Sequence, residues 1–303
     1  MGADLTRPLG AGGGPAPELG RTAGADEVAG LDALELQGIQ RPPLSRRIWS
    51  ATWPKLLAIG IFVAFWQLIV IARLFPVHVL PGPDLVFGRL LEELQDSQVW
   101  GAVATTIRRG IWGFGLAIVI GVGIGVAVAR FAVLRAAIGS LITGLQTMPS
   151  IAWFPLAIVL FKLSEGAITF VVVLGAAPSI ANGLIHGIDH IPPVLTRAGK
   201  VLGARGLDWY RHVILPAAMP SFTAGLKQGW AFAWRSLMAG ELIVIIANQA
   251  SLGQLLQVNR ELSDADGLIA IMVIILVIGI VLDSLVFGQI EHRIRVKRGL
   301  VGA

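Results

Sequence analysis

Six apolar stretches, each near the roughly 20 residues a helix needs to cross a bilayer, constrain this chain more than any other feature. They run at about 56–75, 107–129, 136–161, 167–186, 222–246 and 268–287. The third is broken by Pro149 and Pro155, and the fourth contains Pro178. Charged residues make up only 14% of the 303, where a soluble domain carries about 25%. An ordinary soluble enzyme is therefore excluded, and the expected fold is an all-α polytopic membrane protein with six transmembrane helices. The net charge of +5 is small for a nucleic-acid binder and normal for a membrane protein with basic cytoplasmic loops, so the partner expected is the lipid bilayer and no nucleic acid. Without cysteine there is no disulfide, zinc thiolate site or iron–sulfur cluster.

Lysine and arginine set the expected orientation. Arg46, Arg47 and Lys55, then Arg130 and Arg135, then Arg197, Lys200, Arg205 and Arg211, and finally Arg293, Arg295, Lys297 and Arg298 fall on one side of the spans. Arg73, Arg89, Lys162 and Arg260 fall on the other, with Arg108 and Arg109 near the outer end of the second span. Both termini and the loop between spans four and five are expected in the cytoplasm of a multi-pass plasma (inner) membrane protein. Residues 1–50, rich in Gly, Ala and Pro, read as a disordered cytoplasmic tail with a candidate short helix at 31–39. Residues 51–303 form the transmembrane domain. Outside, 80–100 reads as an amphipathic helix at the interface, with Asp84 as its N-cap and Leu90, Leu91 and Leu94 at helical spacing.

The cytoplasmic loop 194–216 reads VLTRAGKVLGARGLDWYRHVILP. Val194, Leu195, Ala198, Val201 and Leu202 form one amphipathic stripe, and Gly203 is placed to end that helix in a left-handed conformation. Asp208 can cap a second short helix over 209–215, which Pro216 follows. The helix pair either lies on the bilayer surface or seats in a partner.

The spacing Ala198, Gly203 and Leu215–Pro216 resembles the EAA loop of binding-protein-dependent ABC importer permeases. That pattern is EAA, three residues, G, nine residues, and an aliphatic pair before LP. Arg197 stands here for the first glutamate and Gly199 for the second alanine. LPGP at 80–83, GLQTMPSIAWFP at 144–155, KVLGARG at 200–206, ILPAAMPS at 214–221 and AGEL at 239–242 occur in matching order. Together they are similar to the nitrate/sulfonate/taurine/bicarbonate branch of this family, from about residue 50 to the C-terminus.

The resemblance implies a type I ABC importer permease fold and a homodimer. It also implies two ABC ATPase subunits gripping the coupling loops and an extracytoplasmic solute-binding protein delivering substrate. ATP and Mg would sit in the partner ATPase, leaving no cofactor and no chemistry in this chain. Ala198, Gly199, Gly203, Ala204, Asp208 and Trp209 are the positions implied to touch the ATPase. The implied cargo is a small anion, an aliphatic sulfonate or taurine first, with nitrate and bicarbonate as competitors.

The fifth stretch contains Lys227, Gln228, Arg235 and Glu241. A charge at the centre of a spanning helix costs about 2.5–3.5 kcal/mol on insertion scales, so such groups face protein or a watery path. Lys227, Trp234 and Glu241 share one stripe, Gln228 and Arg235 the adjacent one. Arg235, Glu241, Trp234, Gln228 and the helix-breaking Pro149 are the pathway candidates. Alternatively, Arg235 pairs with a carboxylate or carbonyl of another span, Asp283 being one. Ala117, Gly121, Gly125 and Ala129 are spaced by four and read as a close helix contact rather than a nucleotide loop. No G-x-x-x-x-G-K-[ST] sequence is present, so no P-loop is expected. His186, Asp189 and His190 have a spacing that could bind metal, but solvated polar clusters are common at a span's end and no metal site is expected. The competing function is an ion-coupled secondary transporter working without an ATPase, with Arg235, Glu241 and Asp283 as coupling groups.

Overall fold

The computed structural model describes residues 44–247 and 249–297. The chain divides into two units, Met1–Val63 and Ala64–Ala303. The division falls within α1 (Leu44–Ile71), a continuous helix despite Pro54. This helix starts ahead of the expected domain start at residue 51. The rest of the expected tail, with the candidate helix at 31–39, lies outside the described residues. Ile59, Ile61 and Phe62 of α1 are exposed, as befits a surface made for lipid.

The described part of the second unit is helical, and its centre is α6 (Glu165–Asp189). Over half of its apolar window is buried, against far less for the other spans. It is flanked by α3 (Ser97–Arg130) and α8 (Leu215–Ile243). Small residues let the three approach. A Cβ built on Gly121 of α3 would stand 2.8 Å from the Ala177 carbonyl of α6. On the other side Gly183 of α6 and Gly225 of α8 meet backbone to backbone, with a Cβ on either within 2.7 Å of the other's Cα. Lipid tails provide no hydrophobic drive between helices, so this close packing is what joins them. Ile168, Val171, Val172, Ile180 and Leu237 fill the space beside the crossings.

Around this core, α2 (Pro83–Gln95) and α9 (Leu252–Glu261) pack with the start of α3 and with α10 (Ala265–Asp283). Their shared core is Val99, Ala102, Leu252, Ile271 and Ile274. The amphipathic outer helix is present, but its N-cap is Gly82, with Pro83 in the first turn and Asp84 inside the helix. Proline's fixed φ favours the first helical position, which moves the start ahead of Asp84. Arg89 holds α2 to the start of α10, 3.4 Å from Asp264, and also meets Glu93 at 3.2 Å. Burial raises the Glu93 carboxyl above its ordinary range, with Arg89 opposing.

The third apolar stretch is not one straight helix. Helices α4 (Ala132–Thr147) and α5 (Phe154–Phe161) are separated by Met148, Pro149 and a 3₁₀ turn at Ser150–Trp153. The two arms bend by 106°, far more than a proline kink. Among the described residues, four helices are long and apolar enough to cross a membrane, or five with this bent pair. The fifth expected stretch is α8, 29 residues long, whose Lys227, Arg235 and Glu241 lower its hydropathy. Beyond α10, a π turn at Ser284–Gly288 leads into α11 (Gln289–Lys297).

Candidate functional site

The loop between α6 and α8 folds as a rigid knob. Helix α7 (Pro193–Val201) ends at Gly203, which has φ +78°. The Ala204 N–H donates to the Gly199 carbonyl and the Gly203 N–H to the Lys200 carbonyl, each at 3.0 Å. This is the paired bonding of a Schellman stop, which needs a residue that tolerates positive φ. Arg205 is extended, Gly206 has φ +57°, and one helical turn follows at Gly206–Trp209.

Here the structure departs from expectation. Asp208 lies inside the turn and caps nothing, its carboxylate 3.9 Å from His212. The turn does not stop before Pro216 but continues through a π segment at Tyr210–Ile214 directly into α8. The widened ring, closed by Leu215 N–H to the Tyr210 carbonyl, carries the chain past a proline without a break.

Of the expected docking positions, Ala198, Gly203 and Asp208 are exposed, while Ala204 and Trp209 are half-buried. Gly199 is buried, and a Cβ there would stand 2.7 Å from Val213 and 2.9 Å from Trp209. It has no surface for a partner, so its expected role is corrected to packing α7 on the following turn. The surface that is presented is apolar: Val201 is 87% exposed, Leu202 85% and Leu207 80%. Val201 and Leu202 were legible as part of a stripe and Leu207 was not, nor was it legible that this face points away from the protein.

Along α8 the two expected stripes part company. Lys227 meets Glu291 at 3.1 Å and Asp283 at 4.0 Å, so Asp283 serves Lys227 and not Arg235. Trp234 lies against Gly279 of α10 and beside Trp230. The other stripe is bare. Gln228 and Arg235 are exposed, as are the small Ala224 and Ala231 between and before them. The Arg235 Nε–H donates to the Ala231 carbonyl at 3.1 Å and its guanidinium lies 4.7 Å over Phe232. Neither neighbour is on another span. Pro149 is exposed at the bend between α4 and α5.

Glu241 is fully buried, which corrects its expected place on a pathway. It belongs to a cluster at the end of the bundle opposite the coupling knob. Arg109 of α3 donates to Glu241 at 3.0 Å, to Glu165 at 2.7 Å and to Gln249 at 3.2 Å. The Thr106 hydroxyl and the Gly253 N–H donate to the second Glu241 oxygen at 2.9 and 3.1 Å, and the Leu252 N–H donates to Thr106 at 3.0 Å. The cluster ties α3, α6, α8 and α9 together. Thr106 and Glu165 were not singled out from the sequence, and Arg109 only as a charge near the outer end of the second span; an arginine within an apolar stretch was the available signal.

Residues 117–296 match the family described as "Binding-protein-dependent transport system inner membrane component". A putative ABC transporter permease of Methanocaldococcus jannaschii is 32% identical over 73% of this chain and 83% of that protein. A putative aliphatic sulfonates transport permease of Escherichia coli is 30% identical over 80% and 89%. A riboflavin transport system permease of Chloroflexus aurantiacus is 30% identical over 73% and 83%. In fold, the chain resembles one from the MetNI methionine ABC transporter in an inward-facing conformation, with TM-score 0.52, 21% identity and 65% and 94% of the two chains covered.

Proposed function

The chain belongs to the family of binding-protein-dependent transport system inner membrane components, the permease subunits of ABC importers, and on that footing we propose its cargo, assembly and orientation. Permeases of this kind are transport components, not enzymes. The proposed cargo is a small anion, an aliphatic sulfonate or taurine-like compound. The observation that carries it is Arg235, a cation exposed on a bare stripe of a helix otherwise packed in the bundle. Lipid would not tolerate that charge at mid-helix, so the stripe faces a second permease across a watery path where an anion passes. The sulfonate permease relative supports this cargo class, and the riboflavin permease relative supplies the competitor.

In the proposed assembly two permease copies line the path and two ATPases hold ATP and Mg. A solute-binding protein delivers the anion from outside, and both permease termini are cytoplasmic. The apolar face of Val201, Leu202 and Leu207 seats in an ATPase groove, as an amphipathic helix does. Helical structure runs from Gly206 through the π segment to Ile243, so displacement of the knob is passed to the stripe carrying Arg235. The ion-coupled alternative gains no support, since Glu241 is committed to Arg109 and Asp283 stands beside Lys227.

The test is calorimetric titration of the co-purified solute-binding protein with taurine, an alkanesulfonate, nitrate and riboflavin. Tight binding of the sulfonates is expected. Binding of riboflavin alone overturns the cargo.

A further inference from the structure

The end of the bundle that carries the knob has a second feature, which transport along α8 does not use. A groove of about 750 Å³ runs between the last turns of α3 and α6 and the segment joining the knob to α8. Val126, Leu184 and Ile188 give it an apolar wall within the spanning helices. Trp209 and Tyr210 line it on the side of the knob, where aromatic rings suit a membrane–water boundary. Arg130 and Arg211 also line it, both exposed, and Leu207 stands at the edge it shares with the apolar face of the knob. No acidic side chain lines the groove, and neither arginine stands within 4.0 Å of a carboxylate among the described residues. Another large groove, between α3 and α6 toward their opposite ends, is lined by Arg108, Arg109 and Glu165, and there Arg109 is already paired with Glu165 and Glu241.

A ligand that fits must be apolar along one end and anionic at the other, and must lie where the bilayer gives way to water. We propose that this groove binds an anionic phospholipid of the leaflet next to the knob, with an acyl chain along Val126 and Leu184 and the phosphate on Arg130 and Arg211. Basic pockets between spanning helices suit such headgroups. A free phosphate would leave the apolar wall wet, and an apolar protein segment would leave both guanidinium groups unpaired. The bound lipid braces the turn at 206–214 against the bundle.

The test uses the complete permease–ATPase complex in nanodiscs of equal parts phosphatidylglycerol and phosphatidylcholine, with retained lipids counted by native mass spectrometry. The parent is expected to retain phosphatidylglycerol in preference. The Arg130→Gln/Arg211→Gln variant loses that preference by at least about tenfold, while Arg293→Gln, an exposed change outside the groove, leaves it intact. Phosphatidylglycerol also slows hydrogen exchange at 206–215 in the parent. Equal retention of the two lipids, or an equal loss in Arg293→Gln, overturns the proposal.

A second measurement keeps both arginines. The chain has no cysteine, so Val126→Cys is a unique label in the groove. Protection from a lipid-soluble maleimide by phosphatidylglycerol is expected. A disulfide between two Val126→Cys permeases would place a second copy there and refute a lipid occupant.

Discussion

Replacing Arg109 by methionine removes the cation at the centre of the buried cluster while keeping most of the side-chain volume. Arg109 is 5% exposed and Glu241 0%, so the loss strands a buried carboxylate with only the Thr106 hydroxyl and the Gly253 N–H for company. Removing one partner of a buried pair costs about 3–5 kcal/mol. Glu165 is 43% exposed, and its share of the pairing falls in the range of surface pairs, about 0.2–1 kcal/mol. At about 2–4 °C per kcal/mol for a domain of this size, Arg109→Met lowers the melting temperature by about 6–20 °C. Glu241→Gln comes next, because its amide would point a donor at groups that are all donors, and Glu165→Gln is nearly neutral. The double variant Arg109→Met/Glu241→Met recovers part of the loss, since no charge is left buried. The assay is thermal unfolding of the detergent-solubilised permease followed by size-exclusion chromatography. An Arg109→Met protein that melts with the parent, or a Glu165→Gln loss as large as that of Glu241→Gln, would falsify the account of the cluster.

Gly225→Ala puts a methyl group against the Gly183 backbone and is expected to cut assembled permease sharply, whereas Gly123→Ala, with nothing within 4 Å, is neutral; membrane yield checks both. Gly203→Ala at φ +78° costs about 1–2 kcal/mol of local strain and is expected to weaken recovery of the ATPase in a pull-down while the permease itself still inserts. Arg235→Gln is expected to leave yield unchanged and to slow transport at least several-fold. The raised folded pKa of Glu93 means that its contribution is greatest in acid and is lost as pH rises through that value. Glu93→Gln therefore flattens the pH dependence of protease protection at α2.

Much of this was legible from spacing alone. The apolar stretches located α1, α3, α6 and α10, and the small residues at 117, 121 and 125 did pack against α6. The Schellman stop was readable from Gly203. A second set of small residues at the same stride, Gly175, Ser179, Gly183 and Gly187, packs against Ser236, Gly225, Ser221 and Ala218 of α8 and was equally readable from spacing. Two features were beyond local reading. The Arg109–Glu241 pair joins residues 132 apart, and no helical period relates them. The angle between α4 and α5, 106°, is likewise not local information, because a proline such as Pro149 marks a break without setting its angle. Sequence spacing on α8 separated its stripes correctly, yet which stripe was covered depended on α10 and α11.

Uptake into proteoliposomes tests the central claim most directly. The permease is reconstituted with its co-purifying ATPase inside and its solute-binding protein outside, and labelled taurine is offered with and without enclosed ATP. Uptake that requires ATP and the binding protein, and that falls in Arg235→Gln, is the predicted result. Uptake by the permease alone under an ion gradient, indifferent to ATP, would contradict the account and return the chain to the ion-coupled class.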